Sequence, residues 1–336
     1  MGGDFGPHIS LSASLKTLNL HPNLSIYIVG DRQQITPLLN QFQLLDHPRV
    51  KFVHAPESIS MDDDPISVLR HRVESSMYVA LQLVANGKAD ACVSAGNTGA
   101  LMLLAKYTLK TLQGISRPAL VSALPNSKGG QTYLMDLGAN LQCDHETLFN
   151  FAIMGSVLCE KVEQINSPLV GLLNVGRETN KGSDTIKHCA DLLIRTDYIN
   201  YAGFIEANEL FDCRADVIVT DGFSGNIALK SYEGMGRVFL TQIKQAMNAT
   251  WYSRFLGKVL NPLIKKQLKH LHPDLYNGAS LIGLRGIVVK SHGGANVEAF
   301  TYAIEQAIKE IQWQIPACIS ARLESVLVER DCLSHE

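Results

Sequence analysis

The segment Ala89-Asp-Ala-Cys-Val-Ser-Ala-Gly-Asn-Thr-Gly-Ala-Leu101 decides the fold. Its first half, Ala89–Ala95, is a short apolar run of strand character, and its second half opens a long apolar segment of helical period, Asn97–Leu112. Between them lies a glycine-rich turn carrying an amide and a hydroxyl. Strand, glycine turn and helix in that order form the repeating unit of a parallel α/β sheet. The junction presents unpaired backbone N–H groups and the positive end of a helix dipole to an anion. Asn97 and Thr98 are placed to cap the helix and to reach a ligand; an ordinary capped turn is the plainer alternative. The pattern is neither a Walker A loop nor Gly-x-Gly-x-x-Gly, so no nucleotide is indicated.

The unit recurs along the chain. Further candidate strands are Leu24–Gly30, Val50–Ala55, Ala119–Leu124, Gln131–Leu137, Leu169–Val175, Tyr201–Glu206, Asp216–Thr220 and Ile287–Lys290. Helical patterns occupy Asp64–Asn86, His145–Val162, Gly182–Arg195, Gly225–Met247 and Ala295–Gln314. The run Leu169-Val-Gly-Leu-Leu-Asn-Val175 is apolar continuously rather than alternately, as suits a strand covered on both faces. A doubly wound, mostly parallel α/β sheet follows, built by residues 1–330 as one unit with a tail at 331–336. The 336 residues are 46% hydrophobic and 18% charged, which excludes disordered, collagen-like and coiled-coil chains. A formal net charge of −2 argues against a nucleic-acid binder. Seven scattered cysteines without a Cys-x-x-Cys pair point to reduced thiols and a cytoplasmic location.

Four more strand ends resemble the first. Asp221-Gly-Phe-Ser-Gly-Asn226 repeats the strand, glycine turn and helix, with Asp221 at the carboxyl end of its strand. Asp136-Leu-Gly-Ala-Asn140 closes another strand with a carboxylate and an amide. Asn174-Val-Gly-Arg-Glu-Thr-Asn-Lys-Gly182 supplies Lys181, either a phosphate partner or a solvated residue at a helix start. His292-Gly-Gly-Ala-Asn296 opens the last long helix and sets a histidine beside it. Pooled, these turns describe one site that holds an anion and stabilises developing negative charge. No cluster has metal-ligand spacing and there is no Gly-x-Ser-x-Gly elbow, so neither a metal nor a covalent nucleophile is expected.

One stretch differs in charge. Gly234–Pro273 holds seven basic residues and no acidic one, leaving −9 on the rest of the chain. Trp251, Phe255, Leu260 and Leu263 recur at helical spacing, with Arg254, Lys258, Lys265, Lys266 and Lys269 largely between them. Around Pro262 the pattern reads as two short amphipathic helices, Asn248–Leu260 and Pro262–Leu271, a hairpin excursion over 248–272. Such a pair suits an anionic membrane surface first, an acidic carrier protein second, or, as the plain alternative, a dimer interface or a covered core hairpin.

Met-Gly-Gly-Asp-Phe-Gly-Pro (1–7), Ser-Ala-Gly-Asn-Thr-Gly-Ala-Leu (94–101), Asp-Leu-Gly-Ala-Asn (136–140), Asp-Gly-Phe-Ser-Gly-Asn (221–226) and Tyr-Asn-Gly-Ala (276–279) occur in that order. Together they resemble the bacterial phosphate acyltransferase family of phospholipid synthesis, from Met1 to about Leu327. The resemblance implies transfer of a long-chain acyl group from acyl carrier protein (ACP) to inorganic phosphate, without a cofactor. The acyl phosphate would feed a membrane glycerol-3-phosphate acyltransferase. It also implies a homodimer, a fold similar to isocitrate and isopropylmalate dehydrogenases, and peripheral association with the inner face of the cell membrane. An acyl-CoA-using phosphate acyltransferase, a decarboxylating dehydrogenase and a non-enzymatic membrane scaffold are the rivals. By position, Lys181, Asp221, His292 and Asn226 are the expected catalytic residues. Ser94, Gly96, Asn97, Thr98, Gly99, Asp136 and Asn140 are the expected phosphate ligands. Two departures accompany the match. Family members carry a short strand ending in Asp ahead of the Met-Gly-Gly-Asp motif, so a first strand is expected to be missing, through a late start or a real loss. Arg177 stands where the family often has an acid, which is expected to alter the electrostatics around phosphate.

Overall fold

The computed structural model describes residues 1–250, 252, 254 and 273–334. Its elements in chain order begin with α1 (Pro7–Leu20), β1 (Ile26–Gly30), α2 (Arg32–Gln41), β2 (Val50–His54), α3 (Pro65–His71) and α4 (Ser76–Ala85). There follow β3 (Ala91–Ser94), α5 (Thr98–Leu109), β4 (Ala119–Pro125), β5 (Gln131–Met135), α6 (His145–Glu163), β6 (Leu169–Leu173) and α7 (Asp184–Arg195). The last are β7 (Asn200–Ile205), β8 (Val217–Val219), α8 (Gly222–Asn248), β9 (Ala279–Ile282), β10 (Ile287–Lys290), α9 (Val297–Gln312) and α10 (Ile315–Ser334). All nine strands expected from the sequence form. The starts of α3, α4, α5, α6, α7, α8 and α9 carry Asp64, Ser75, Asn97, Asp144, Ser183, Asp221 and Asn296, each accepting a backbone N–H three residues on. These caps satisfy donors that a helix start otherwise leaves open.

Eight strands form one sheet in the order β3-β10-β9-β4-β5-β8-β6-β7, while β1 and β2 pair in parallel beside it. Pairing is parallel within β3-β10 and within β5-β8-β6-β7. It is antiparallel at β10-β9, β9-β4 and β4-β5. The sheet is therefore mostly parallel, as expected, with an antiparallel centre that the sequence reading did not anticipate. Two of these pairs come from β9, a four-residue strand between Gly278 and Gly283, too short to show a period, and the third from the hairpin that joins β4 to β5.

The two faces are both covered, so the sheet is doubly wound. Side chains of alternate strand residues separate into two cores. Met135, Val217 and Val219 pack with Phe149, Phe151 and Met154 of α6 and with Ile319 and Leu323 of α10. Leu134, Ile218 and Val288 pack with Leu81 of α4 and Leu101 and Leu104 of α5. Ala228, Leu229 and Tyr232 bring the first half of α8 onto that second face.

Several expectations are corrected. The helix read over Asp64–Asn86 is two helices, because Ser75 caps a new start by accepting Tyr78 N–H at 3.3 Å. Helices α1, α2 and α10 were not anticipated. Helix α10 runs to Ser334, so the tail expected at 331–336 begins inside it. It is pinned by Glu329, which accepts from the Thr196 hydroxyl at 2.6 Å, and by paired bonds of 2.8 and 2.7 Å from Arg330 to Glu146. The hairpin expected over 248–272 falls largely outside the described residues, as do Trp251, Phe255, Lys258, Leu260, Leu263, Lys265, Lys266 and Lys269. Arg254 is described: it is exposed, with Nε donating to the Asn248 carbonyl at 3.3 Å. No helix among the described residues is long and apolar enough to cross a membrane.

Candidate active site

Strand direction decides which predicted residues can meet. The carboxyl ends of β3 and β10 lie on one edge of the sheet, and those of β5, β8 and β6 lie on the other. The site expected as a single pool is thereby split within one chain. Ser94, Gly96, Asn97, Thr98, Gly99 and His292 fall on the first edge, and Asp136, Asn140, Lys181, Asp221 and Asn226 on the second. From β5 to β3 is four strand steps, about 19 Å at the usual spacing of ~4.8 Å.

On the second edge the turns after β5 and β8 are built as one body. The Asp136 carboxylate is fully buried. One oxygen accepts from the N–H groups of Leu120 (2.9 Å) and Ala139 (3.1 Å), the other from Asn140 N–H (2.6 Å) and Nδ2 (2.9 Å). Burial pushes this carboxyl up, and the hydrogen bonds pull it back down. The Asn140 amide also donates to the Pro118 carbonyl at 2.8 Å, and the Asn140 carbonyl accepts Gly222 N–H at 2.8 Å. The first turn of α8 therefore sits directly on the 136–140 loop. A Cβ at Gly225 would stand 2.0 Å from the Asp136 carbonyl oxygen, so only glycine permits that approach. Asp136 and Asn140, expected as phosphate ligands, direct their side-chain polar atoms at each other and at the chain.

What remains free on this edge is Lys181, Asn226 and part of Asp221. Asp221 caps α8 by accepting Ser224 N–H at 2.7 Å on one oxygen, leaving the other. Asn226 packs on Gly138, whose φ of 116° a side chain would strain. Asn174 shapes the loop after β6 by donating to the carbonyls of Gly176 (3.1 Å) and Lys181 (3.3 Å). Lys181 is exposed and makes no ion pair among the described residues. The Arg177 guanidinium is paired with the buried Glu209, which Arg214 holds from the other side.

The first edge shows the same division. Asn97 is buried, its Oδ1 capping Ala100 N–H at 3.0 Å. Its Nδ2 donates to the carbonyls of Ser60 (3.2 Å), Met61 (2.9 Å) and Asp63 (3.2 Å). Expected as a phosphate ligand, it staples a loop to α5 in this structure. Ser94 Oγ accepts Gly96 N–H at 3.2 Å and keeps its own proton to donate. The N–H groups of Thr98 and Gly99 start α5. His292 is exposed, and its Nδ1 accepts Gly294 N–H at 3.0 Å, so the neutral ring carries its proton on Nε2, facing outward. Asn277 fixes this corner, accepting His292 N–H at 2.9 Å and donating to Ser291 Oγ at 2.9 Å. Sequence reasoning passed over two polar residues here, Asn277 and Lys290. The signal for Lys290 was a charge ending the otherwise apolar strand Ile287-Val-Val-Lys290.

The chain matches known proteins over its whole length. Residues 1–318 fit the family described as "Fatty acid synthesis protein". A phosphate acyltransferase from Psychromonas ingrahamii is 68% identical over 336 residues, covering all of this chain and 97% of that one. One from Shewanella amazonensis is 50% identical over 329 residues, covering 98% and 96%. Among solved structures, a phosphotransacetylase from Streptococcus pyogenes aligns over 91% of both chains with a TM-score of 0.60 at 17% identity. The EutD phosphotransacetylase from Staphylococcus aureus aligns over 90% of both with 0.58 at 18%. These two likenesses show the fold. With relatives at half to two-thirds identity from end to end, this acyltransferase chain belongs to the bacterial phosphate acyltransferase family.

Proposed function

We propose that the protein transfers a long-chain fatty acyl group from acyl-ACP to inorganic phosphate, giving acyl phosphate and free ACP for phospholipid synthesis. The observation that carries this reading is the end-to-end similarity to phosphate acyltransferases. The free groups on the two edges suit it chemically. A phosphate oxygen attacks the thioester carbonyl, the C–O bond forms, the C–S bond breaks, and the thiolate leaves and takes up a proton. Phosphate is the nucleophile, so no serine or cysteine nucleophile is needed. The charge that develops on the carbonyl oxygen needs preorganised donors, each worth roughly 10²–10³ in rate at acyl-transfer sites.

Ser94, Thr98 and the backbone of Gly96 and Gly99 receive phosphate, with His292 Nε2–H as donor or proton relay. Lys181 offsets the oxyanion or phosphate charge, Asp221 orients or deprotonates phosphate through its open oxygen, and Asn226 positions it. One chain holds these two sets four strands apart, so their joint action calls for the homodimer, one copy supplying each edge. Mixing the impaired Lys181→Ala and His292→Ala proteins then restores part of the turnover; no restoration places the reaction on one edge alone.

The basic stretch after α8 meets the anionic membrane surface, where product passes to a glycerol-3-phosphate acyltransferase. Supporting this, Met235, Val238, Phe239 and Leu240 are exposed on α8 as it approaches that stretch. Leu260→Glu with Leu263→Glu is expected to release the protein from anionic vesicles. The reaction itself is tested with palmitoyl-ACP and phosphate, trapping acyl phosphate with hydroxylamine, with palmitoyl-CoA alongside. Phosphate-dependent ACP release supports the reading, and preference for the CoA ester overturns the choice of donor.

A further inference from the structure

Lys290 is the last residue of β10, and only 8% of it is exposed. Strand alternation sends Ile287 and Val289 toward Ala303 and Ala307 of α9, and Val288 and Lys290 to the face that carries α5. Its register partner on β3 is Ser94, the residue from which the loop into α5 departs. Of the three donors on its ammonium, the structure shows one spent, on the Ser291 carbonyl. No carboxylate pairs with it among the described residues; Asp4, on the N-terminal loop, is the charge that acts on it from farther off. Burial lowers the ammonium to about 8.

A buried cation without a counter-ion is costly, and an apolar side chain of similar volume would be cheaper. The surroundings hold Lys290 rigidly: Ser291, fully buried, donates its N–H to the Ser94 carbonyl at 2.8 Å, and Asn277 clamps Ser291 and His292 together. Lys290, the Ser94 hydroxyl and His292 thus stand around the start of α5 with donors to spare. The Asp4 carboxylate lies at the same corner, a Cβ at Gly293 or Gly294 standing 3.3 and 3.2 Å from its oxygens, and acts on Lys290 without forming an ion pair among the described residues.

We infer that Lys290 is the buried cation of an oxyanion site on the β3–β10 edge, and that it binds a phosphate group together with Ser94. The identity of the anion as the acyl acceptor rests on the acyl-transfer reading; the existence of the site does not. Lys290 differs in kind from Lys181, which is exposed and enters from the other edge. The buried lysine holds the tetrahedral anion in place, and the exposed one answers charge that appears during transfer.

The test is titration of inorganic phosphate into the full chain, by calorimetry or phosphorus NMR, for the native protein and for Lys290→Met. The substitution keeps volume and removes charge. Thermal stability is expected to hold or rise, while phosphate affinity falls on the order of 10- to 100-fold. Lys290→Arg is expected to retain more of the affinity. In turnover assays the KM for phosphate rises and the KM for acyl-ACP stays unchanged. Phosphate affinity unaltered in Lys290→Met overturns the inference. If Lys290→Met does not fold, the same titration on Lys290→Gln decides. Lysine-dependent phosphate binding in a protein that does not turn over acyl-ACP would retain this site and remove the acyl-transfer reading. Turnover with an unchanged phosphate KM would do the reverse.

Discussion

The two edges of the sheet use similar residues for opposite ends. After β5, a carboxylate and an amide, Asp136 and Asn140, are consumed in holding the loop and the start of α8 together. After β3, the amide of Asn97 is consumed in holding the 60–63 segment to α5. Beside each staple stand groups with capacity left over: Lys181, Asn226 and one oxygen of Asp221 on one edge, Ser94, His292 and Lys290 on the other. Both edges are therefore scaffolds that spend buried polar groups to hold a few freer ones in place. They differ in where the cation sits, exposed on the β6 loop and buried at the end of β10.

The sharpest way to break this division is to remove a staple. Asp136→Ala strands buried donors from Leu120, Ala139 and Asn140 and is expected to cost about 3–5 kcal/mol in urea unfolding. A loss below about 1 kcal/mol would make Asp136 a spare group after all. Lys181→Ala should do the converse, lowering turnover on the order of 10²-fold with the melting temperature unchanged. Full activity in that variant would remove Lys181 from the chemistry.

A third position, off both edges, separates stability from function. Glu310 of α9 is buried against Ser280 and Gln306, and burial pushes its carboxyl up from 4.5 to about 7. The folded state therefore keeps a proton that the unfolded chain gives up earlier. The stability this contributes is complete below pH 4.5 and is lost as pH rises through about 7. The fall is of order 3 kcal/mol, and Glu310→Gln should flatten it without changing the phosphate KM. Equal pH slopes for the two proteins would reject the assignment. Smallest in expectation is Asn97→Ala, which removes a cap and a loop staple for about 1–2 kcal/mol, with phosphate affinity falling less than in Lys290→Met. A larger loss of phosphate affinity than of stability would return Asn97 to the ligand set.

Much of the architecture was legible residue by residue. Leu169–Leu173 is continuously apolar because it is an inner strand, and Asp144, Ser183 and Asn296 announce helix starts through side chains that accept N–H groups three residues on. Helix α10 was missed although Ile315, Ile319, Leu323 and Val326 form a buried stripe at helical spacing, and β9 because four residues carry no period. In the candidate site, the sequence located the turns but not the bonding state of their side chains. Asn97 and Asn226 look alike in a string of letters. Only packing reveals that one has every polar atom engaged while the other lies open on Gly138.

The amino-acid sequence by itself determined the α/β class, the strand-end turns, the basic stretch after Gly234 and the family. All of these depend on local pattern: periodicity, capping residues, glycine spacing and charge runs. The tertiary structure alone decided that the turns divide between two edges, since the antiparallel step from β4 to β5 sets β5, β8 and β6 running opposite to β3 and β10. It also decided which polar residues are staples, and that a lysine at the end of β10 is buried without an ion partner among the described residues. Burial and hydrogen-bond capacity depend on contacts between segments far apart in the chain, and no local pattern encodes them.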